Sequence, residues 1–155
     1  MTHWFRSHPK LSISLGVLAL LLILLVVLAL KPFSLQETFT PDPAQTYEEA
    51  LARIESMQAE EAQLTNLSPE CGSLLMTHDE KVENVVVFLH GFTSCPDQFA
   101  SLGEEYFNQG YNVFIPRQPQ HGLQEYDGAP LKGLTAEKLA AFGTEVADIA
   151  QGLGE

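Results

Sequence analysis

The sequence predicts an α/β chain: a mostly parallel sheet with flanking helices, preceded by one transmembrane helix. Three stretches carry that expectation. Residues 11–30 run without a charged side chain. Val85-Val86-Val87-Phe88-Leu89 is a continuous apolar run that stops at His90-Gly91. A second apolar run, Val113-Phe114-Ile115, follows across one amphipathic helix.

At about 1.5 Å per residue, the charge-free stretch spans roughly 30 Å, the thickness of a bilayer's hydrocarbon core. Its end, Leu28-Ala29-Leu30-Lys31-Pro32, is a poor cleavage site, so it reads as an uncleaved signal anchor rather than a removed leader. A buried core helix would show a polar side, and this one does not. Arg6 and Lys10 precede the stretch and only Lys31 closely follows it. The positive-inside rule then places residues 1–10 in the cytoplasm and the rest beyond it. The localisation expected is a single-pass cell-membrane protein with an extracytoplasmic main domain, tethered through residues 11–30. Every Asp and Glu lies after the stretch, and the formal net charge is -12. Such acidity argues against nucleic acid as a partner and otherwise describes a solvated surface.

Residues 31–42 form a linker. Asp42-Pro43-Ala44-Gln45 looks like a helix start, with Asp42 as N-cap and Gln45 as its capping partner. An amphipathic helix over 43–64 follows, with Tyr47, Leu51, Ile54 and Met57 as its apolar stripe. The stripe is too short for a coiled coil, and packing on its own domain is the plain reading. Residues 73–77 read as a short strand, and His78 as a surface histidine at its end.

The run from Val85 does not alternate, so it reads as a strand buried on both faces, as in a parallel sheet. Phe99, Leu102 and Tyr106 then share a helical face, and Asn108-Gln109-Gly110 closes that helix. With the strand over 111–116 this makes a βαβ unit, whose two strands run parallel through a right-handed crossover. Thr135 is a half-complete capping signal. Leu139, Phe142, Val146, Ile149 and Leu153 form the apolar face of a last helix.

Val85 to Pro96 resembles the third strand and following loop of α/β-hydrolases. Arg117-Gln118-Pro119-Gln120-His121-Gly122 is similar to the loop after their fourth strand. The resemblance is to esterases, lysophospholipases and monoglyceride-lipase-like enzymes, and it covers about residues 73–155, a partial domain. It implies acyl transfer to a serine followed by hydrolysis of a carboxylic ester or acylglycerol-like lipid. It further implies that the His90-Gly91 turn offers the Phe92 backbone N–H to the oxyanion of a tetrahedral intermediate. His121 and Gly122 would sit at the cleft edge. His121 is better read as structural than catalytic, because the family's catalytic histidine comes much later in the chain. Arg117 reads as a surface or loop-anchoring cation.

The 155 residues contain no Gly-x-Ser-x-Gly elbow. The expectation is therefore a hydrolase fragment without its triad, inactive alone and marginal in stability. The alternative is a non-catalytic membrane-tethered module or a non-functional truncated product. Cys71 and Cys95 are the two cysteines. They are open to a disulfide, to free buried thiols, or least favourably to a nucleophilic Cys95 that lacks a base. The five histidines are scattered and no phosphate loop appears, so no metal and no cofactor are expected. A small ester or lipid is the expected substrate of a completed enzyme.

Overall fold

The computed structural model describes residues 9–30, 39–124 and 129–155. The expected cytoplasmic segment 1–10, linker 31–42 and the loop before the last helix lie partly outside these residues, at 1–8, 31–38 and 125–128. The chain divides into two units, Met1–Leu35 and Gln36–Glu155.

The first unit holds helix α1 (Pro9–Ala29), rich in leucine, which loses little side-chain freedom in a helix. The transmembrane expectation is corrected here. Among the described residues, no helix is long and apolar enough to cross a membrane. The expectation of a single-pass membrane localisation is corrected with it.

In the second unit, α2 (Tyr47–Glu61) leads to a 3₁₀ turn (Pro69–Cys71) and strand β1 (Leu74–Met76). Then come β2 (Val85–Val87), a 3₁₀ turn (Pro96–Phe99), α3 (Ala100–Phe107) and β3 (Asn112–Ile115). A short helix α4 (Ala129–Lys132) precedes α5 (Ala136–Leu153). The helix expected over 43–64 starts later than predicted. Thr46, not Asp42, is its N-cap, and its hydroxyl accepts from the Glu49 N–H. Asp42 is instead tied across the fold, with its N–H donating to Asp148 Oδ2 at 2.9 Å.

The sheet has strand order β1-β3-β2. β2 and β3 are parallel, with Val86 beside Val113, as the crossover through α3 demands. β1 runs antiparallel to β3, with Leu75 beside Phe114, so the expected mostly parallel sheet is in fact a small mixed one. The cause is the connection. Residues 77–84 alone join β1 to β2, and a parallel crossover takes a dozen or more.

β3 is fully buried, and its side chains alternate between two layers. Phe114 joins Tyr47, Ala50 and Ile54 of α2 and Val146, Ile149 and Leu153 of α5 in the main core. Val113 and Ile115 face α3, where Gly103 leaves room for them: a Cβ there would lie 3.1 Å from Ile115 Cδ1. α2 and α5 cross closely at Gly152, where a Cβ would come within 2.5 Å of the Thr46 carbonyl oxygen. Asn112, wholly buried, donates to the Glu80 and Leu153 carbonyls and accepts from the His78 N–H, so no polar atom of its amide is left unmet.

Cys71 and Cys95 are joined by a disulfide with Cα atoms 5.2 Å apart. It ties the turn before β1 to the loop after β2 across a sequence separation of 24. In the chain-entropy picture such a loop contributes about 3 kcal/mol. Dithiothreitol should therefore lower the unfolding free energy of the wild-type chain, read from denaturant curves, by that amount and leave a Cys71→Ser/Cys95→Ser variant unmoved. An equal response of both would show that the bridge does not stabilise the fold.

Candidate functional site

The site forms at the carboxyl ends of the two parallel strands, where open α/β sheets place ligands. β2 releases the chain at Phe88, whose N–H still donates to the Phe114 carbonyl at 3.0 Å. His90 follows and is 2% exposed. Its Nδ1 lies 3.1 Å from the Gly91 carbonyl oxygen, and its Nε2 accepts from the Gln118 N–H at 3.0 Å. That pattern assigns the Nδ1–H tautomer. The Gln118 side-chain amide also donates to the His90 carbonyl. The two loops are thus pinned to one another at both backbone and side-chain level.

Burial pushes the His90 imidazole below the ordinary histidine pKa. The Gly91 carbonyl opposes this, while His121 and Arg117 add to it. The folded pKa lies below the unfolded value of about 6.5, so the unfolded chain binds more protons as the pH falls through that value. The contribution of neutral His90 is fully present above about pH 6.5 and is lost as the pH drops towards the folded pKa. Denaturant midpoints measured from pH 7.5 to 5 should fall more steeply for the wild type than for His90→Gln; parallel slopes would contradict this.

Gly91 donates weakly to Gln98 Oε1 at 3.3 Å. A left-handed backbone is not what the position requires, since the positive-φ glycines among the described residues are Gly110 and Gly122. A Cβ on Gly91 would meet nothing within 4 Å, so open space lies in front of this turn. Phe92 is 62% exposed, and its N–H makes no hydrogen bond among the described residues.

Opposite stands the loop after β3. Gln120 adopts φ 67°, a left-handed conformation that side chains resist, and Gly122 adopts φ 72°. Gly122 is doubly required, because a Cβ there would sit 2.6 Å from Cys71 Cβ. His121 is buried, with Nδ1 2.9 Å from the Pro119 carbonyl oxygen and Nε2 without a partner among the described residues. Its ring centroid lies 5.2 Å from that of His90 and 5.8 Å from that of Phe92. A cavity of about 600 Å³ opens here, walled by Phe92, His121, Gly122 and the disulfide. Of the seven sequence-selected residues, Phe92, His121, Gly122, Cys71 and Cys95 line this cavity; His90 lies behind it against the His121 ring, and Gly91 joins His90 to Phe92.

The sequence reading missed what holds the second loop. Glu61, 5% exposed, accepts from the Ser73 N–H and hydroxyl, both at 2.7 Å. Arg117 Nε stands 3.3 Å from Glu61 Oε1, an ion pair without hydrogen-bond alignment. The Arg117 N–H donates to Ser73 Oγ at 2.8 Å, and its Nη1 donates to the His121 carbonyl at 3.0 Å. Arg117 is the loop-anchoring cation, not a surface one. A signal existed: Glu61 continues the apolar stripe of α2 seven residues after Ile54, and a carboxylate on a buried stripe needs a partner. Among the described residues, no group of three or more His, Cys, Asp or Glu is placed to hold a metal ion.

No family model matches the chain, and no curated protein matches it. Among solved structures, the chain is similar to one from work on LipS and LipT, described as two metagenome-derived lipolytic enzymes. The identity is 28% and the TM-score 0.40, over 54% of this chain and 29% of that one. The chain thus spans less than a third of that protein, and the likeness is a distant one.

Proposed function

We propose that this chain supplies the oxyanion-stabilising part of an esterase- or lipase-type acyl-transfer site, the serine nucleophile, acid and catalytic histidine coming from residues outside these 155. One observation carries the reading. A backbone N–H without a hydrogen-bond partner among the described residues, that of Phe92, follows a parallel strand, beside open space and a cavity, in a turn pinned by His90 and Gln118. Fixed donors of this kind stabilise a developing oxyanion because they are already oriented when the charge forms. His90 and Gly91 shape the turn, and His121 and Gly122 form the opposite wall. A small ester or lipid fits the substrate role.

The test is covalent labelling of the native protein, recovered from its source, with a fluorophosphonate that esterifies activated serines. Labelling of a serine in a Gly-x-Ser-x-Gly segment, together with hydrolysis of 4-nitrophenyl butyrate, is the expected result. A native protein that is neither labelled nor hydrolytic overturns the reading. A non-catalytic module then becomes the better account, in keeping with the lack of an elbow in the present sequence.

A further inference from the structure

We propose that the cavity beside Phe92 takes a neutral or ammonium-bearing group and rejects carboxylates and phosphates, with His121 as a specificity-determining acceptor within it. Under the acyl-transfer reading, on which its role in catalysis rests, this selects the charge class of the ester.

The walls carry the argument. Phe92, Leu123 and Leu131 supply apolar surface, and Phe92 and Leu131 remain 62% and 39% exposed, open to be covered. The ionisable side chains among the described lining residues are Glu70, Asp97 and His121; neither lysine nor arginine is among them. Arg117 lies nearby but is spent on Glu61 and the His121 carbonyl. An anion entering the cavity therefore meets two carboxylates and no cation to offset them. Even in partly solvated surroundings, two such charges several ångströms away amount to about a tenfold bias.

His121 supplies the independent observation. It is 3% exposed, its Nδ1–H is taken by the Pro119 carbonyl, and its Nε2 has no partner among the described residues. In the neutral ring that nitrogen is a bare acceptor, and a buried acceptor left unmet costs free energy. A hydroxyl, amide or ammonium satisfies it, whereas a carboxylate or phosphate oxygen brings only another acceptor. Carboxylates and imidazole acceptor thus point to the same ligand chemistry: donors, neutral or cationic.

The experiment reads binding to the full chain by NMR, independently of hydrolysis. The probes are butylamine in its ammonium form, 1-butanol, butyrate and butyl phosphate, with the His121 ring signals as reporter. Butylammonium and butanol should shift the His121 signals, with butyrate and butyl phosphate binding at least tenfold more weakly. Glu70→Gln/Asp97→Asn should bring butyrate to within about threefold of butanol, and 0.5 M salt should narrow the gap in the wild type. His121→Phe, followed through the Leu131 methyl signals, should weaken butanol more than it changes the ratio between the charged probes. Equal binding of butyrate and butylammonium, or no binding of any probe, overturns the proposal. Selective binding by a protein that fails the fluorophosphonate test would leave this inference standing and the acyl-transfer reading refuted.

Discussion

Replacing Arg117 by alanine is expected to lower folding stability by about 3–5 kcal/mol, the usual cost of leaving one member of a buried ion pair alone. The burden falls on Glu61, whose carboxylate keeps its two bonds from Ser73 but loses the neighbouring guanidinium. Folded domains hold only about 5–15 kcal/mol in total, so the variant should sit near the edge of unfolding at ordinary temperatures. Pairing Arg117→Ala with Glu61→Gln removes both charges and should recover more than half of the loss. Urea midpoints of the four proteins in that double-mutant cycle measure the coupling directly. A single-variant loss under about 1 kcal/mol would mean that water, not Arg117, compensates Glu61. The single variant should also release the 117–122 loop, because the Nη1 bond to the His121 carbonyl goes with it.

Phe92→Pro in the ester-hydrolysing protein is expected to reduce kcat about a hundred- to a thousandfold, the usual effect of deleting one oxyanion donor. Proline removes the N–H and leaves the main-chain carbonyl in place. Phe92→Ala keeps the donor and loses only an exposed ring, so its kcat should stay within a few-fold of wild type. The contrast separates donor from side chain. It is needed because proline also restricts Gly91 before it. Equal unfolding midpoints of the two variants would assign the loss to chemistry rather than to folding. Full activity in Phe92→Pro would refute the oxyanion role.

How much of this was legible depended on whether the signal was local. β2 and β3 announce themselves as unbroken apolar runs joined by one helix, and their parallel pairing follows from that connection. The orientation of β1 was within reach through the short connection 77–84, but three residues of strand carry no directional pattern of their own. The start of α2 was read at the first capping signal, Asp42-Pro43-x-Gln45, and the structure uses a second one that the reading passed over, Thr46-x-x-Glu49. The second won because Asp148 on α5 holds the backbone of Asp42 and Ala44 in an extended approach, which no local rule contains. The charge-free run over 11–30 predicted a membrane span from composition alone, and the described helix does not supply one. At the site, His90-Gly91 and His121-Gly122 were visible as turns after strands. Their mutual pinning through Gln118, and the Glu61–Ser73–Arg117 network behind them, were not, because each bond joins segments far apart in sequence.

The central strand of the sheet is the last of the three to be made, and this bears on how the chain emerges from the ribosome. β1 and β2 have no neighbour until β3 exists, and the apolar face of α2 is not covered by α5 until α5 is made. At about 5–20 residues per second, roughly 4–15 s separate the synthesis of Glu61 from that of Ala136. For that interval the nascent chain carries Tyr47, Ala50 and Ile54 without the cover of α5, and until Ile115 is made it also carries two unpaired strands. Such surfaces are what holdase chaperones bind and what aggregating chains share. Rare codons placed between 62 and 135 should therefore lower the soluble yield, whereas the same codons before 47 should not.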